Sequence, residues 1–358
     1  RLYPPSSPEA RALLTEQGHD VIGVSMQLYP STPSGPGQAA GVPVSDRAYG
    51  TCCTLDDLHD ARRVAQALRI PHYILNFESR FDDAVVSDFV HEYLSGRTPI
   101  PCAHCNSDLK FSALLARATG LGAGALATGH YARITRDHAG GCHLLRGLDH
   151  GKDQSYFLFT LTQEQMARAM FPVGHLDKDT VRTHARRLGL RVADKPDSQE
   201  ICFVPDGDYA AFVEREAPEL TRPGAIVSEG GRVLGTHGGV HRFTIGQRKG
   251  LRLSSSDPLY VTHIDAATAR VTVGPKESLG RVSLTASDVN WTSGVAPVEW
   301  RTVAAQIRHR HLAASARVRA VDDGRAEVEF DQPQTAVTPG QAVVFYAGEE
   351  VVGGGWIE

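Results

Sequence analysis

The first two hundred residues alternate short apolar runs with segments whose apolar residues recur every three or four positions. Short apolar runs predict buried strands, and the three-to-four spacing predicts amphipathic helices. The predicted strands are "DVIGVSMQLY", "PHYILNF" and "GALATGHY", and the predicted helices are "TLDDLHDARRVAQALRI", "FDDAVVSDFVHEYL" and "NSDLKFSALLARATG". This alternation is typical of a parallel sheet covered by helices, so we predict an α/β domain over residues 1–204.

From about residue 205 the pattern changes to short segments in which apolar and polar residues alternate. Examples are "LYVTHID" and "ARVTVG", followed by "ARVRAV", "AEVEF", "AVVFY" and "VVGGGW". Such alternation predicts strands with one buried face, and turn residues such as Pro339 and Gly340 separate them. We therefore predict a small β-rich central domain over residues 205–280 and a C-terminal β-barrel over residues 281–358.

The composition is that of an ordinary soluble globular protein: 358 residues, of which 41% are hydrophobic, enough for two to three domains. The net charge of −4 argues against nonspecific coating of nucleic acid but allows a local basic face. There is no signal-peptide pattern and no apolar run near the ~18 residues that span a bilayer, so we expect a cytoplasmic protein with no membrane partner. In a reducing compartment the six cysteines are thiols unless they are catalytic.

The stretch "TPIPCAHCNSDLKF" places Cys102 and Cys105 three residues apart, just before a predicted helix. This spacing suits a metal site, a redox pair or an activated nucleophile about equally well. No second closely spaced pair completes a structural zinc site. Cys202, in "DKPDSQEICFVPDGDY", is either a core thiol or a thiolate held in a polar loop. Together the three thiols are also a ligand set for an iron–sulfur cluster with one open iron.

Eight segments in this order resemble the tRNA-specific 2-thiouridylases, the MnmA/TrmU family. They are "GHDVIGVSMQLY", "CCTLDDLHDARRVAQAL", "PCAHCNSDLKF", "ATGHYAR", "GKDQSYFL", "DSQEICFV", "FTIGQRKGL" and "TPGQAVVFY". The resemblance implies a PP-loop α/β domain that uses ATP, with Mg²⁺, to adenylate the C2 oxygen of the wobble uridine of tRNA. It also implies that sulfur arrives as a persulfide from a relay fed by a cysteine desulfurase.

The resemblance further implies roles for single residues. Cys202 carries the persulfide, Cys105 is the other catalytic cysteine, and a Cys105–Cys202 disulfide forms during turnover. Cys102 stands where some members have an aspartate, which makes it a candidate acid or base. The implied ATP-binding residues are Met26 and Gly129, with Ser6 and Ser7 as further candidates. The implied tRNA-binding residues are Ile100, Pro101, Cys102, His130, Lys152, Asp153, Gln154, Arg308, His309 and Gln341, and the central domain over residues 205–280 is implied to bind tRNA as well.

The N-terminus departs from the family pattern, which has a strand and then an "SGGxDSS" loop that binds the phosphates of ATP. Here the chain reads "RLYPPSSPEARALL", with no Gly-Gly and no evident strand before the loop, and Pro4, Pro5 and Pro8 lack amide donors. We expect the chain as written to bind ATP weakly because its native N-terminus is truncated or replaced. The alternatives are a tRNA-binding member that has lost nucleotide activation and an iron–sulfur-dependent tRNA thiolase.

Overall fold

The computed structural model describes residues 2–3, 8–29, 55–189, 201–204, 206–322 and 324–358. The chain divides into two compact units, Arg1–Val85 with Cys102–Gly207, and Val86–Pro101 with Asp208–Glu358. The segment Val86–Pro101, which directly precedes Cys102, therefore groups with the C-terminal half of the chain. The division into three continuous domains remains a prediction.

Parallel strands organise the first unit, as the alternating pattern predicts. The strands are β1 (Leu2–Tyr3), β2 (Gly23–Gln27), β3 (His72–Asn76), β4 (Ala125–Ala127), β5 (Ala132–Arg136), β6 (Cys142–Arg146) and β7 (Ala169–Met170). One parallel sheet has the order β1-β4-β7, and β2 pairs in parallel with β3. The strands β5 and β6 form an antiparallel hairpin that the sequence pattern does not predict.

The short strand β1 corrects one expectation about the N-terminus. Leu2 pairs with Ala125 and Tyr3 with Leu126 in parallel register, so the expectation that no strand precedes the loop is wrong. Ser6 and Ser7 lie outside the described residues, and their assignment to ATP stays a prediction.

Helices cover these strands by burying small and aliphatic side chains. The helices of the chain are α1 (Pro8–Glu16), α2 (Leu55–Ala67), α3 (Glu78–Phe81), α4 (Ser87–Leu94), α5 (Pro101–His104), α6 (Leu115–Gly120), α7 (Gln163–Ala167), α8 (Lys178–Arg187) and α9 (Tyr209–Glu216). Of these, α4 and α9 belong to the second unit, where they pack against each other. Ala12, Val64 and Ala185 pack α1, α2 and α8 together. Leu14 packs α1 against Ala127 of β4. Among the described residues, no helix combines the length and apolarity needed to cross a membrane.

Two helical stretches have π-type hydrogen bonding, at Asp82–Val86 and Cys105–Leu114. The second joins α5 to α6, so the backbone is helical from Pro101 to Gly120. Local widening of this kind is often found at functional sites.

Strands dominate the second unit, as the alternation predicts. They are β8 (Gly224–Ser228), β9 (Val233–His237), β10 (Tyr260–Asp265), β11 (Arg270–Gly274), β12 (Gly280–Trp291), β13 (Arg301–Gln306), β14 (Ala314–Val321), β15 (Arg325–Thr335), β16 (Ala342–Ala347) and β17 (Glu350–Ile357). A small sheet has the order β10-β11-β8-β9. Among the described residues, six strands in the order β12-β15-β14-β13-β16-β17 close into a barrel through the β12–β17 pairing. The predicted C-terminal barrel is therefore confirmed.

Candidate functional site

Cys102 and Cys105 lie in the first turns of the helical run that begins at Pro101. Cys102 is exposed and Cys105 is half-buried. The three-residue spacing places both thiols on one side of the helix, and the positive end of the helix dipole favours negative charge there. Proline suits the first helical position because that position needs no amide donor. The sequence thus builds an accessible thiol pair in a setting that stabilises a thiolate.

Cys202 lies in a turn that is anchored by its neighbour Phe203. Phe203 is buried and packs edge-on against Phe81 of α3, with ring centroids 5.7 Å apart. Phe81 in turn packs against Tyr29, just beyond β2, at 5.6 Å. The helix α3 also packs against the helical stretch that begins at Cys105. The Cys105 and Cys202 segments therefore share α3 as a neighbour, and Cys202 itself is half-buried rather than a core thiol.

Cys102, Cys105 and Cys202 are not joined in disulfide bonds in this structure. The Cys105–Cys202 disulfide is not formed, and it stays a prediction for an oxidised step of turnover. Among the described residues, no three His, Cys, Asp or Glu side chains are grouped so that they could hold a metal ion. The iron–sulfur ligand set of Cys102, Cys105 and Cys202 and the use of Mg²⁺ both stay predictions.

A buried amide ties the cysteine helix to the segment that follows Gln154. Asn106 is 3% exposed, and its Nδ2 donates to the Phe157 carbonyl at 3.1 Å. Its Oδ1 accepts from Lys110 Nζ at 2.9 Å. Phe157 belongs to the short helical turn Ser155–Leu158. Asn106 was not among the predicted site residues, although its position directly after Cys105 is a signal in the sequence.

The carboxylate of Asp153 organises the loop that carries the predicted tRNA-binding residues. It accepts from Arg146 Nη1 at 2.8 Å, from the Gly147 amide at 3.0 Å, and from the amide and hydroxyl of Ser155 at 3.0 and 2.9 Å. The Asp153 side chain is 7% exposed. Its oxygens are used within the loop, so the structure gives Asp153 a positioning role. A direct contact with tRNA stays a prediction.

Gln154 fixes the residue that follows His130. Its side-chain Oε1 accepts from the Tyr131 backbone amide at 3.0 Å, and the Gln154 backbone amide donates to the Tyr131 carbonyl at 2.9 Å. Lys152 is half-buried in the same turn. The predicted Lys152–Gln154 group and His130 therefore lie side by side.

His130 follows the carboxyl end of β4, where parallel sheets place their ligands. The ring forms a three-membered aromatic cluster with Phe111 and Phe171, and Nδ1 is 2.7 Å from Thr128 Oγ1. Burial, and then the nearby Lys110 ammonium, hold the pKa of His130 well below its ordinary value. The imidazole is therefore neutral near pH 7 and 8% exposed, so contact with tRNA through this ring stays a prediction.

The predicted ATP residues also lie at or next to carboxyl ends of strands. Met26 is in the last part of β2 and is 3% exposed, and Gly129 follows β4. A cavity of about 520 Å³ opens beyond β3, lined by Asn76, Phe77 and Arg80 among others. Neither Met26 nor Gly129 lines this cavity, and ATP binding by Met26, Gly129, Ser6 and Ser7 remains a prediction.

His72, at the start of β3, predicts a loss of stability in acid. Its Nε2 is 3.0 Å from Ser25 Oγ, and burial, then Arg11 and Arg62, lower its pKa from 6.5 to about 4. Between pH 6.5 and about 4, His72 is therefore protonated in the unfolded chain but neutral in the folded chain. Stability should be insensitive to this group above pH 6.5 and should fall as the pH drops from 6.5 to about 4.

We expect His72→Gln to reduce the drop in melting temperature between pH 7.5 and pH 5.0. Glutamine cannot titrate, but it can still hydrogen-bond Ser25. The control is His263→Gln, which removes an exposed histidine of β10. An equal drop in the wild type and in His72→Gln would show that His72 does not carry this pH dependence.

In the second unit, a turn of the barrel holds the segment that precedes Cys102. The Thr98 amide donates to the Pro339 carbonyl at 2.9 Å, and Gln341 Nε2 donates to the Thr98 carbonyl at 2.9 Å. Gly340 has φ +84°, and a Cβ there would lie 3.0 Å from Arg97 Cβ and from the Thr98 nitrogen. The "TPGQ" turn is thus shaped to fit the backbone just before the cysteine helix.

The other predicted residues of this unit differ in exposure. Ile100 and Pro101 are buried, so any RNA contact by Ile100 has to come mainly from its backbone. Arg308 and His309 are exposed, and Arg308 Nη1 donates to the Thr335 carbonyl at 3.2 Å. The Arg308 side chain is therefore on the surface of the barrel and is positioned by its hydrogen bond to Thr335.

Comparisons with known proteins match the whole architecture. Residues 6–206 match the model of a tRNA methyl transferase HUP domain, residues 210–275 its PRC-barrel domain, and residues 281–357 an aminomethyltransferase β-barrel domain. The tRNA-specific 2-thiouridylase MnmA of Geotalea uraniireducens is 51% identical over 98% of this chain and 92% of its own length. The same protein of Geobacter metallireducens is 52% identical over 97% of this chain and 92% of its own. The chain belongs to the tRNA-specific 2-thiouridylase family.

The family resemblance drawn from the eight segments is therefore confirmed. This 2-thiouridylase family member has a HUP, or PP-loop, domain followed by a PRC-barrel domain and a C-terminal barrel. The solved structure of the U34-tRNA thiolase NcsA from Methanococcus maripaludis with its [4Fe-4S] cluster covers 61% of this chain and 66% of its own. Its TM-score of 0.32 at 13% identity carries no argument for a cluster here.

Proposed function

We propose that this chain is a tRNA-uridine 2-sulfurtransferase that thiolates the wobble uridine of tRNA at C2 with consumption of ATP. Relatives at about half identity over nearly the whole chain are named tRNA-specific 2-thiouridylases. The family that matches the HUP domain is named after methyl transfer instead. The observation that favours sulfur transfer is the packing of the Cys105 and Cys202 segments against the same short helix, α3.

The first chemical step is activation of the uracil. The C2 oxygen of the base attacks the α-phosphorus of ATP, and pyrophosphate leaves. This step is needed because a carbonyl oxygen is a poor leaving group, whereas the same oxygen can leave as part of AMP. In this proposal the nucleotide binds near Met26 and Gly129, which lie at or next to carboxyl ends of parallel strands, and ATP is a substrate rather than a resident cofactor.

The second step transfers sulfur from a persulfide on Cys202. The terminal sulfur attacks C2, AMP leaves with the oxygen, and the base is joined to Cys202 through a disulfide. The Cys105 thiolate then attacks the sulfur of Cys202, and the electron pair of the broken S–S bond stays on the sulfur at C2. The products are 2-thiouridine and a Cys105–Cys202 disulfide, which an external thiol reduces. Cys102, exposed on the same helix side, is a candidate for proton transfer in this cycle.

The sulfur donor is a protein persulfide supplied by a cysteine desulfurase relay. This part of the proposal is supported by the partial exposure of Cys202 in a turn, where a donor sulfur can reach it. An accessible acceptor thiol is what persulfide exchange requires.

Because Gln341 holds the segment before the cysteine helix, we expect its substitution to lower kcat while leaving the Kd for tRNA nearly unchanged. The resemblance implies that it contacts tRNA, but its amide is used to hold Thr98, just upstream of the cysteine helix. We expect Gln341→Ala to lower kcat about tenfold, the size of effect given by a small misplacement of catalytic groups, and to change the Kd for tRNA less than twofold. Gln341→Glu should behave like alanine, because a carboxylate cannot donate to the Thr98 carbonyl. A rise in Kd with unchanged kcat would assign Gln341 to direct RNA binding instead.

The decisive experiment uses tRNA isolated from a strain that lacks its wobble-uridine thiolase. The full chain, ATP and a persulfide donor are added, and the nucleosides are analysed by mass spectrometry. We expect 2-thiouridine at the wobble position only, with none when ATP is left out. Tight tRNA binding without any product would favour the alternative, a tRNA-binding family member that has lost nucleotide activation.

A further inference from the structure

The helical run Pro101–Gly120 carries a lysine, Lys110, to which the proposed reaction gives no role. Lys110 follows Cys105 by five residues, about one turn of a π-type helix, and is half-buried. Its Nζ is 2.9 Å from the side-chain oxygen of Asn106, the residue directly after Cys105. A lysine held at its tip keeps its charge in one place, whereas an exposed lysine samples many rotamers. The ammonium is therefore a fixed positive charge beside the Cys105 turn.

Asn106 holds Lys110 without cancelling its charge. The Asn106 side chain donates from Nδ2 to the Phe157 carbonyl at 3.1 Å, and the residue is 3% exposed. This bond fixes the orientation of the amide, so that Oδ1 is the atom that accepts from Lys110. A carboxylate at the same place would form an ion pair and neutralise the ammonium. A neutral amide oxygen positions the cation and leaves its charge available to a substrate.

The charge of Lys110 acts at the carboxyl end of β4. His130 follows this strand end, and its pKa is held well below the ordinary value first by burial and then by the Lys110 ammonium. Phe111, next to Lys110 in the chain, packs against the His130 ring with centroids 6.1 Å apart. The imidazole is neutral near pH 7. Lys110, and not His130, is therefore a source of positive charge at this strand end.

The proposed reaction needs a cation between the cysteines and the nucleotide. The C2 oxygen of uracil becomes bonded to C2, where the cysteine chemistry takes place, and to the α-phosphorus of ATP. The phosphoryl group therefore has to lie close to Cys105 and close to the nucleotide site, for which Gly129, directly before His130, is the predicted residue. Lys110 lies beside both of these segments. Negative charge builds on the phosphoryl oxygens during the attack, and a fixed cation there lowers the barrier.

We propose that Lys110 is a catalytic residue of the adenylation step, in which its ammonium contacts an α-phosphate oxygen of ATP, and that Asn106 is its positioning residue. This assignment rests on the proposed function and deepens it. In the step, the bond from the C2 oxygen to the α-phosphorus forms, and the bond from the α-phosphorus to the bridging oxygen breaks. Pyrophosphate leaves with the electron pair of the broken bond. Lys110 keeps its proton throughout and acts by its charge.

The test measures pyrophosphate release by the full chain in a single turnover, with unmodified tRNA, ATP raised to saturation and no sulfur donor. This reaction separates adenylation from sulfur transfer. We expect Lys110→Met to slow the release about a hundredfold and Lys110→Arg, which keeps the charge, to slow it about tenfold or less. The Kd for tRNA should change less than about twofold in both variants, because the charge acts on the transition state. Lys178→Met is the matched control, since it removes another half-buried lysine, whose Nζ lies 5.8 Å from the centre of the Tyr131 ring.

Asn106→Asp tests the positioning role, because it places a carboxylate against Lys110 and neutralises the ammonium. We expect it to slow pyrophosphate release about tenfold or more in the wild type but only about threefold or less in Lys110→Met, where the lost bond to Phe157 is the remaining effect. Equal losses in the two backgrounds would give Asn106 a structural role instead.

The outcomes separate this proposal from the proposed function. Wild-type rates of pyrophosphate release in Lys110→Met, or an equal loss in Lys178→Met, would overturn the role of Lys110 while the wild type still makes 2-thiouridine. A wild type that releases no pyrophosphate with tRNA and saturating ATP would remove the proposed function and, with it, the role of Lys110.

Discussion

Cys202→Ser is expected to lower 2-thiolation by about three orders of magnitude or more, as when the nucleophile of a covalent mechanism is removed. A hydroxyl cannot carry a persulfide, so no sulfur reaches the base. Binding of tRNA should be unchanged within about twofold, because the serine occupies the same turn beside Phe203. The measurement is the rate of 2-thiouridine formation, with tRNA affinity determined in parallel.

Cys105→Ser should block turnover to a similar extent, but at a later step. Without the second thiol, the base stays joined to Cys202 through a disulfide, which mass spectrometry can detect as a covalent protein–tRNA adduct. Cys142→Ala is the control, because it removes a buried thiol of β6 outside the site. Cys102→Ala should cost less than Cys105→Ser in the persulfide mechanism. Equal inactivation by Cys102→Ala, together with bound iron in the wild type, would support the iron–sulfur alternative.

Asp153→Ala is expected to have the largest effect on stability, a loss of about 3 kcal/mol. The reason is that removing one partner of a buried, hydrogen-bonded ion pair leaves the Arg146 guanidinium and two backbone amides without their acceptor. The melting temperature should fall by several degrees. The affinity for tRNA should fall as well, since Lys152 and Gln154 belong to the same loop.

The control for Asp153 is Asp179→Ala. Asp179 also faces an arginine, Arg182 at 3.7 Å, but its side chain is 93% exposed. An exposed pair of this kind contributes less than about 1 kcal/mol. Equal melting temperatures for the two variants would contradict the view that Asp153 is the organising carboxylate of this loop.

Much of the fold follows from local pattern. The apolar run around Val24 and the three-to-four spacing through Leu58 and Val64 predict β2 and α2, and both are present. The alternation around Val343 and Phe345 predicts β16 of the barrel. Periodicity reports which face of a segment is buried, and burial is what these elements share.

Local pattern did not predict which strands pair with each other or which chain segments belong to the same unit. The hairpin of β5 and β6 follows a parallel strand, and the two-residue strand β1 is too short to show any period. The grouping of Val86–Pro101 with the C-terminal half depends on contacts between distant residues, such as Thr98 with Pro339. Local sequence carries no information about such partners.

The sequence identifies the reactive residue types of the site, but it does not show which distant residues the fold brings together. Two cysteines at helical spacing are visible in the chain, whereas their link to Cys202 through α3 needs the fold. Asp153 and Gln341 were assigned to tRNA because of their place in motifs. The structure shows their polar atoms in use within the protein, because a buried carboxylate and a clamping amide must satisfy their own hydrogen bonds first.

A single-turnover reaction tests the central claim most directly. The chain is loaded with one persulfide on Cys202, freed of donor, and mixed with ATP and unmodified tRNA in the absence of reductant. The account predicts that 2-thiouridine, AMP and a Cys105–Cys202 disulfide appear in equal amounts and at one rate, with the disulfide located by peptide mapping. Formation of 2-thiouridine while Cys105 and Cys202 both remain free thiols, or without AMP, would contradict it.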